Sequence, residues 1–401
     1  MMTLAVQYLE GGTNAAATDP GEAHARLRAA FEILPISLVL LGWDLPDALV
    51  AACAEETDRA NAQLFRWHPL LTGNGTFAPR PEWQCIGLNG EPVSGFQGKP
   101  EFTFVCPNRP QAREAALDHL RDIVRRGHWQ GVFLDRIRYP SPATDPASAL
   151  ACFCDDCHRA ARKIGLDLEG ARRSIGKLAA TPARAALFVL TLLDPLAPPL
   201  PDPDLAALRA FLDFRAWSVT RLVKAATDMA RASGLAVGLD CFSPALTWMV
   251  GQDLSALNAH CQWIKIMPYA HTFGPAGVPF ELLSLADWLI ERQSIGELDA
   301  LEVLSQAVRL RLPSSRAALR ERGLPPDALA TEVKRGRASG DSTLFAGIEL
   351  VELEGVTRLD RTQITDDLCA LHEAGADGLV LSWDLAHIPL ERLELVRAVW
   401  S

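Results

Sequence analysis

Three cysteines fall within six positions, in the run Cys152-Phe-Cys154-Asp-Asp-Cys157. Thiolates this close can share one tetrahedral zinc ion, with Zn–S bonds of about 2.3 Å. A closed structural site needs a fourth ligand. Cys106 is the first candidate because it directly follows an apolar, strand-like run (Phe102–Val105) just before the strand that leads to the cysteine cluster; Cys85 and His158 are the alternatives. The chain has nine cysteines, an odd number, and they are clustered rather than spread as pairs. In a reducing compartment that pattern points to metal and not to disulfides. Buried thiols and an iron–sulfur cluster are the competing explanations. Four thiolates leave no open coordination position, so a metal here is structural and not catalytic.

Carboxylates form the second set. Asp135, Asp240, Glu349 and Asp384 each stand at or just after the end of a short apolar run. Cleaving a glycosidic bond takes two carboxyl groups, one protonating the leaving oxygen and one acting as nucleophile or base. Asp135 is the expected general acid/base and Glu349 the expected nucleophile, on strands taken to face each other. Arg136 and Arg138 flank Asp135, so an ion pair is the alternative for that residue. Aromatic residues gather at the same run ends: Trp43, Trp67, Tyr139, Tyr269 and Trp383. They offer faces for sugar rings, although any one of them could equally be a packing anchor. Arg138, Asp240, Lys265, His271 and Asp384 are candidates for binding sugar hydroxyls, with a Lys265–Asp240 salt bridge as the alternative for that pair.

These residues need a frame to bring them together. Eight short apolar runs end in a polar or glycine-rich stop: Ile36–Leu41, Gln63–Trp67, Phe102–Val105, Gly131–Leu134, Ala236–Leu239, Trp263–Met267, Leu344–Ile348 and Gly378–Leu381. Helical patterns lie between most of them, at 46–60, 110–126, 211–233, 363–374 and 391–400. Apolar strands alternating with amphipathic helices predict an α/β fold, a (β/α)8 TIM barrel. A doubly wound sheet is the alternative, but no Gly-x-Gly-x-x-Gly follows any strand. Three stretches are too long to be simple connections. They are 73–101, 140–203 and 271–341, predicted as insertions after strands 2, 4 and 6, the last of them helical. Residues 1–32 are expected to be peripheral, with the catalytic barrel over 33–401 and the zinc-binding loop region over 106–157.

The net charge of −10 comes with no basic run, which argues against nucleic acid or an anionic membrane as partner. No basic segment followed by an apolar one opens the chain, and no apolar run reaches bilayer length. A cytoplasmic location is the expectation.

The stretch Gly131-Val-Phe-Leu-Asp-Arg-Ile-Arg-Tyr-Pro140 resembles the strand-four motif of (β/α)8 glycoside hydrolases and of the glycosyl hydrolase-like barrels. Glu349 in Ala-Gly-Ile-Glu and Ser382-Trp-Asp384 look like the ends of strands seven and eight of such barrels. The cysteines are similar to those of family 42 β-galactosidases, where a Cys-Pro-Asn-x-Pro segment and a later C-x-C-x-x-C hold zinc. Here Cys106-Pro-Asn-Arg-Pro110 precedes Cys152, Cys154 and Cys157, so the resemblance selects Cys106. Family 42 ends strand four with Asn-Glu, whereas this sequence has Leu134-Asp135-Arg136, a departure at the catalytic acid. The resemblance implies a retaining glycoside hydrolase with a carbohydrate substrate, a structural zinc ion and a possible homo-oligomer. The alternative is a barrel that binds carbohydrate without cleaving it and keeps the zinc for structure.

Overall fold

Eight parallel strands close into a barrel in sequence order: β1 (Thr3–Tyr8), β2 (Ile36–Leu41), β3 (Gln63–Pro69), β4 (Gly131–Asp135), β5 (Ala236–Phe242), β6 (Trp263–Met267), β7 (Thr343–Glu349) and β8 (Gly378–Ser382). This computed structural model describes residues 3–11, 13–73, 78–195 and 201–400. The fold is the expected (β/α)8 barrel, but one strand of the sequence reading is wrong. β1 pairs with both β2 and β8 and closes the ring, so Thr3–Tyr8 belongs to the barrel and is not peripheral. Its alternation hid it: Leu4, Val6 and Tyr8 face the helices, while inward positions go to small Ala5 and polar Gln7, so no continuous apolar run forms. The run Phe102–Val105 is no barrel strand. Phe104 and Val105 make isolated antiparallel bridges to Thr72 and Gln84 inside the long connection after β3. The 73–101 excursion thus follows the third strand instead of the second, while the other two long segments follow β4 and β6. Residues 74–77 and 196–200, inside two of these segments, lie outside the described residues.

The barrel interior is filled with rings. Phe133 stacks on Trp263 at 5.0 Å, and Trp263 packs on Phe345 at 5.0 Å. Glycines on neighbouring strands make room for them. A Cβ at Gly238 would sit 2.1 Å from the Trp263 ring, and one at Gly131 would sit 2.2 Å from Phe65. Large rings against missing side chains fill the taper of a small barrel. This plug lies below the C-terminal strand ends, so the polar residues one step further along each strand form a floor open only from that face.

Helices wrap the outside much as their patterns predict: Asp47–Arg59, Pro110–Arg126, Pro203–Ala232, Arg361–Glu373 and Leu390–Trp400. Gly234 and Gly375 follow two of these helices at φ +80° and +83°. That left-handed conformation suits a residue without a Cβ and lets the chain turn back into the next strand. The segment after β6 is mostly helical, through Val278–Gln293, Glu297–Val308, Arg316–Arg322 and Pro326–Ala338. Among the described residues no helix is long and apolar enough to cross a membrane.

Candidate functional site

Side chains alternate along a strand, so residues two apart share a face. Continuing the inward rows past the ring plug places Gln7, Asp135, Asp240, Lys265 and Ser382 at the floor of the barrel mouth. Lys265 is fully buried and its ammonium donates to Asp240 Oδ2 at 3.1 Å and to Gln7 Oε1 at 3.0 Å. Ser382 Oγ donates to the same Gln7 oxygen at 2.9 Å, and the Tyr269 hydroxyl bonds Lys265 and Ser382. Burial pushes the Asp240 carboxyl up to about 7 despite the Lys265 charge, with Asp135 adding repulsion. Asp240 Oδ1 has no hydrogen-bond partner among the described residues.

Asp135 ends β4 only partly buried. It accepts from Trp67 Nε1 at 3.0 Å and from the backbone N–H of Arg136. The flanking arginines do not pair with it. Arg136 takes φ +52°, a left-handed turn that aims its side chain across the mouth to Glu10 Oε1 at 3.1 Å and to the Glu101 carbonyl at 2.7 Å. Arg138 turns into the space beyond, its guanidinium held between the Phe104 and Phe242 rings at 4.4 and 4.5 Å. Asp135 therefore has no ion pair among the described residues.

Glu10, absent from the sequence reading, follows β1 directly. Its side chain keeps 32% exposure while facing Arg136. The protein packed around its carboxyl displaces enough water to push it up to about 7, against the pull of Arg136 and with help from Asp384, Asp135 and Glu101. The sequence carries a signal for it, a Gln and a Glu three apart ahead of Gly11-Gly12, which gains meaning only once Thr3–Tyr8 is a strand of the barrel.

The other expected residues divide by burial. β8, not β7, stands across the eight-membered ring from β4, so Asp135 and Glu349 are three strands apart. Glu349 is 1% exposed and its Oε1 accepts from the His271 backbone N–H at 2.6 Å. Oε2 has no partner among the described residues, and burial pushes the carboxyl up to about 7, opposed by His271 and helped by Asp367. His271 Nε2 in turn meets Asp367 at 3.1 Å. Asp384 is spent on backbone: it accepts from Leu9 and Glu10 N–H at 2.9 Å each and caps Ala386 at 3.0 Å. Trp43 and Trp67 pack edge to face at 5.1 Å in the barrel plug, with the Arg136 guanidinium over Trp43. Trp383 is half-buried, 6.2 Å from the Tyr269 ring. Tyr139 lies away from the mouth, fully buried against the cysteines, where Asn108 Nδ2 donates to its hydroxyl at 3.4 Å.

The four cysteines come together. The sulfurs of Cys106, Cys152, Cys154 and Cys157 all lie within 4.8 Å of one another, all buried. Cys106 Sγ is 3.4 Å from Cys157 Sγ and 3.6 Å from Cys154 Sγ. Tetrahedral bonds of about 2.3 Å would set sulfurs about 3.8 Å apart, so little adjustment is needed to hold a metal ion. Ile86 N–H donates to Cys152 Sγ at 3.3 Å and Asn108 Nδ2 to Cys157 Sγ at 3.5 Å. Cys85 touches Cys152 from outside the set, and His158 turns away toward Glu169 at 4.0 Å. Burial pushes the Cys106 and Cys157 thiols up, so four thiolates need a cation among them. Arg215, fully buried over the Tyr139 ring at 4.8 Å, and Arg109 near Cys154 supply the positive surroundings that a tetrathiolate centre calls for. Of the remaining cysteines, whose apolar neighbours in sequence predict core positions, Cys53, Cys241 and Cys261 are buried and Cys369 is exposed.

Cavities fall on both sides of the barrel wall. One of about 540 Å3 runs along Pro110–Arg126 outside the barrel among Arg113, Asp118, Arg121 and Lys163. One of about 320 Å3 opens on the C-terminal face between the segments after β3, β4 and β6. Substrate chemistry in this fold belongs to that face.

No family model and no curated protein matches this chain. Solved structures share its fold. The glycoside hydrolase domain of PgaB (BpsB) from Bordetella bronchiseptica is similar at TM-score 0.58 and 12% identity, covering 100% of this chain and 99% of that one. A polyextremophilic β-galactosidase from the Antarctic haloarchaeon Halorubrum lacusprofundi gives TM-score 0.60 and 14% identity, over 99% of this chain and 57% of that one. The β-galactosidase of the psychrophilic Marinomonas ef1 gives 0.58 and 14%, over 99% and 59%. At these identities the likeness is one of fold.

Proposed function

We propose that this protein is a glycoside hydrolase whose working carboxyl groups are Asp135 and Glu10. One observation carries the reading: these two acids stand at the barrel mouth on either side of Arg136, and both retain solvent access. Substrate arrives from solvent, so an acid sealed under other side chains cannot reach it without rearrangement. Asp240, Glu349 and Asp384 are so sealed, at 3%, 1% and 5% exposure. The carbohydrate enzymes that share the fold support the same class.

Glu10, with its carboxyl pushed up to about 7, holds a proton near neutral pH and serves as general acid. Its proton passes to the leaving oxygen as the glycosidic bond breaks. Asp135, positioned by Trp67 Nε1, forms the new bond to the anomeric carbon; water then cleaves that ester while Glu10 takes back a proton. Retention, the course implied by the sequence resemblance, requires carboxyl groups about 5–5.5 Å apart. Glu349, expected from sequence as the nucleophile, is proposed instead to position the segment after β6 through His271. The metal at the cysteines is proposed to be zinc, held by Cys106, Cys152, Cys154 and Cys157, fixing the loops after β3 and β4 and taking no part in the reaction.

The test is turnover on a broad glycoside panel, with the first-formed anomer read by NMR. Asp135→Asn is expected to lose about 1,000-fold or more in kcat, and Glu10→Gln about 100-fold on substrates with poor leaving groups. A parent protein that binds sugars but hydrolyses none of them favours the second reading, a non-catalytic carbohydrate-binding barrel. The structural engagement of the other three acids is the observation on that side.

A further inference from the structure

Arg138 is a buried cation that makes no ion pair among the described residues, although the buried Glu281 and Asp240 and the nearby Asp135 act on its charge from a distance. It is 7% exposed, and among the described residues its only hydrogen bond runs from Nη1 to the Tyr139 carbonyl at 3.1 Å. Burial lowers its pKa to about 10, against the pull of Glu281, Asp135 and Asp240. Its two flat faces are covered by Phe104 and Phe242, so nothing can stack there. What stays available is the edge of the guanidinium, a planar fork of N–H donors. That edge borders the cavity of about 320 Å3 on the C-terminal face of the barrel. Phe96, Phe102 and Phe280 supply apolar wall to the same cavity.

We propose that this cavity is a subsite for an acidic sugar, whose carboxylate is read edge-on by Arg138. A fork fixed between two rings matches the two oxygens of a carboxylate, and its rotamer entropy is already spent before binding. The apolar wall suits the face of a pyranose ring. Glu281 also borders the cavity and is the largest opposing charge on Arg138; its Oε2 accepts from Ser141 Oγ at 2.5 Å and its Oε1 from Ala276 N–H at 3.0 Å, so its oxygens are engaged on the wall while Arg138 supplies the donors that a ligand carboxylate needs. It braces Ser141 and the start of the Val278–Gln293 helix against the subsite wall. Asp135 and Asp240 both act on the Arg138 charge, which ties the subsite to the floor of the mouth.

The inference rests on the glycosidase reading for its kinetic arm and stands apart from it in its binding arm. Aryl glycosides with one aglycone and three sugars would be compared: a uronide, the matching neutral glycoside and its 6-sulfate. The uronide is expected to lead the neutral glycoside roughly tenfold to a hundredfold in kcat/KM, the range for a charge-assisted pair. Arg138→Met should collapse that ratio to near one, and Arg138→Lys, which keeps the charge but loses the fork, should leave a value between. Circular dichroism and bound metal content of each variant would show that it is folded. Titration of an oligouronate into the parent and into Arg138→Met reads the same site without turnover. Equal rates on uronide and neutral glycoside overturn the acidic-sugar assignment and leave the hydrolase standing. A preference for the sulfate overturns the choice of carboxylate. No turnover on any glycoside, with oligouronate binding that Arg138→Met abolishes, keeps the subsite and removes the hydrolase.

Discussion

The cysteine corner and the barrel mouth are built on opposite principles. The corner takes three of its four ligands from six consecutive positions, seals them completely, and gathers positive side chains around them. The mouth takes its groups one per strand from an entire ring, and it sorts them: three acids buried and committed, two left open. Both collect potential anions at close range. In the first, a single cation can satisfy all of them at once. In the second, each carboxyl group finds its own partner, Lys265 for Asp240, backbone N–H groups for Asp384 and Glu349, Trp67 Nε1 for Asp135, and Arg136 for Glu10. On the proposed function, the contrast separates holding a loop from doing chemistry: full enclosure for cysteines that can hold a metal, partial exposure for the acids proposed to meet substrate.

The largest effect should come from emptying the corner. Structural zinc sites contribute on the order of 10 kcal/mol. Protein stripped with a chelator, or carrying Cys157→Ser, is therefore expected to melt more than about 10 °C below the parent. Calorimetry with and without added zinc reads this, and an unchanged melting point in metal-free protein would break the comparison at its first limb.

Next is the floor of the mouth. Lys265→Met leaves Asp240 buried without its cation, a change that typically costs about 3–5 kcal/mol. Urea unfolding measures it, and a loss under about 1 kcal/mol would mean that the Asp240 charge is absent from the folded state.

A smaller effect lies in the pH profile. Glu10 acts as an acid only while protonated, so kcat/KM should fall about tenfold per pH unit above the value near 7 set for its carboxyl. Glu10→Gln should show no such alkaline limb, and a parent profile flat to pH 9 would sink the assignment.

Smallest is the outcome for Glu349→Gln. If Glu349 positions and does not attack, kcat should drop by less than about tenfold, whereas a nucleophile would lose about 1,000-fold. Stability supplies a second readout. The folded carboxyl stands at about 7, above its unfolded value of 4.5, so the stability it contributes is full below about 4.5 and is lost as pH rises through 7. The glutamine variant should therefore gain on the parent across that window, by on the order of 1 kcal/mol or more.

Much of this was legible without coordinates. Seven of the eight strands could be read, because apolar runs such as Val237–Leu239 and Trp263–Met267 are buried on both faces and show continuous hydrophobicity. β1 was missed because Ala5 and Gln7 face a crowded interior and a polar floor, which breaks the run. Cys152, Cys154 and Cys157 could be named as a potential metal site because clustered thiols are a local signal that survives any uncertainty about topology, whereas Cys106 needed the Cys-Pro-Asn-x-Pro resemblance. Asp135 could be named because it ends a strand whose apolar stretch is unmistakable.

Sequence alone thus determined the barrel class, the sulfur cluster and the acid at the end of β4, since each depends on residue types that are neighbours or near neighbours along the chain. Tertiary structure decided which acids remain within reach of a ligand. Glu10 enters only once β1 closes the ring beside β8, Glu349 is withdrawn by the segment that covers it, and Arg138 is carried past Asp135 to lie between Phe104 and Phe242. Exposure and pairing are properties of the closed surface, and no window of the chain contains the surface that a residue will face.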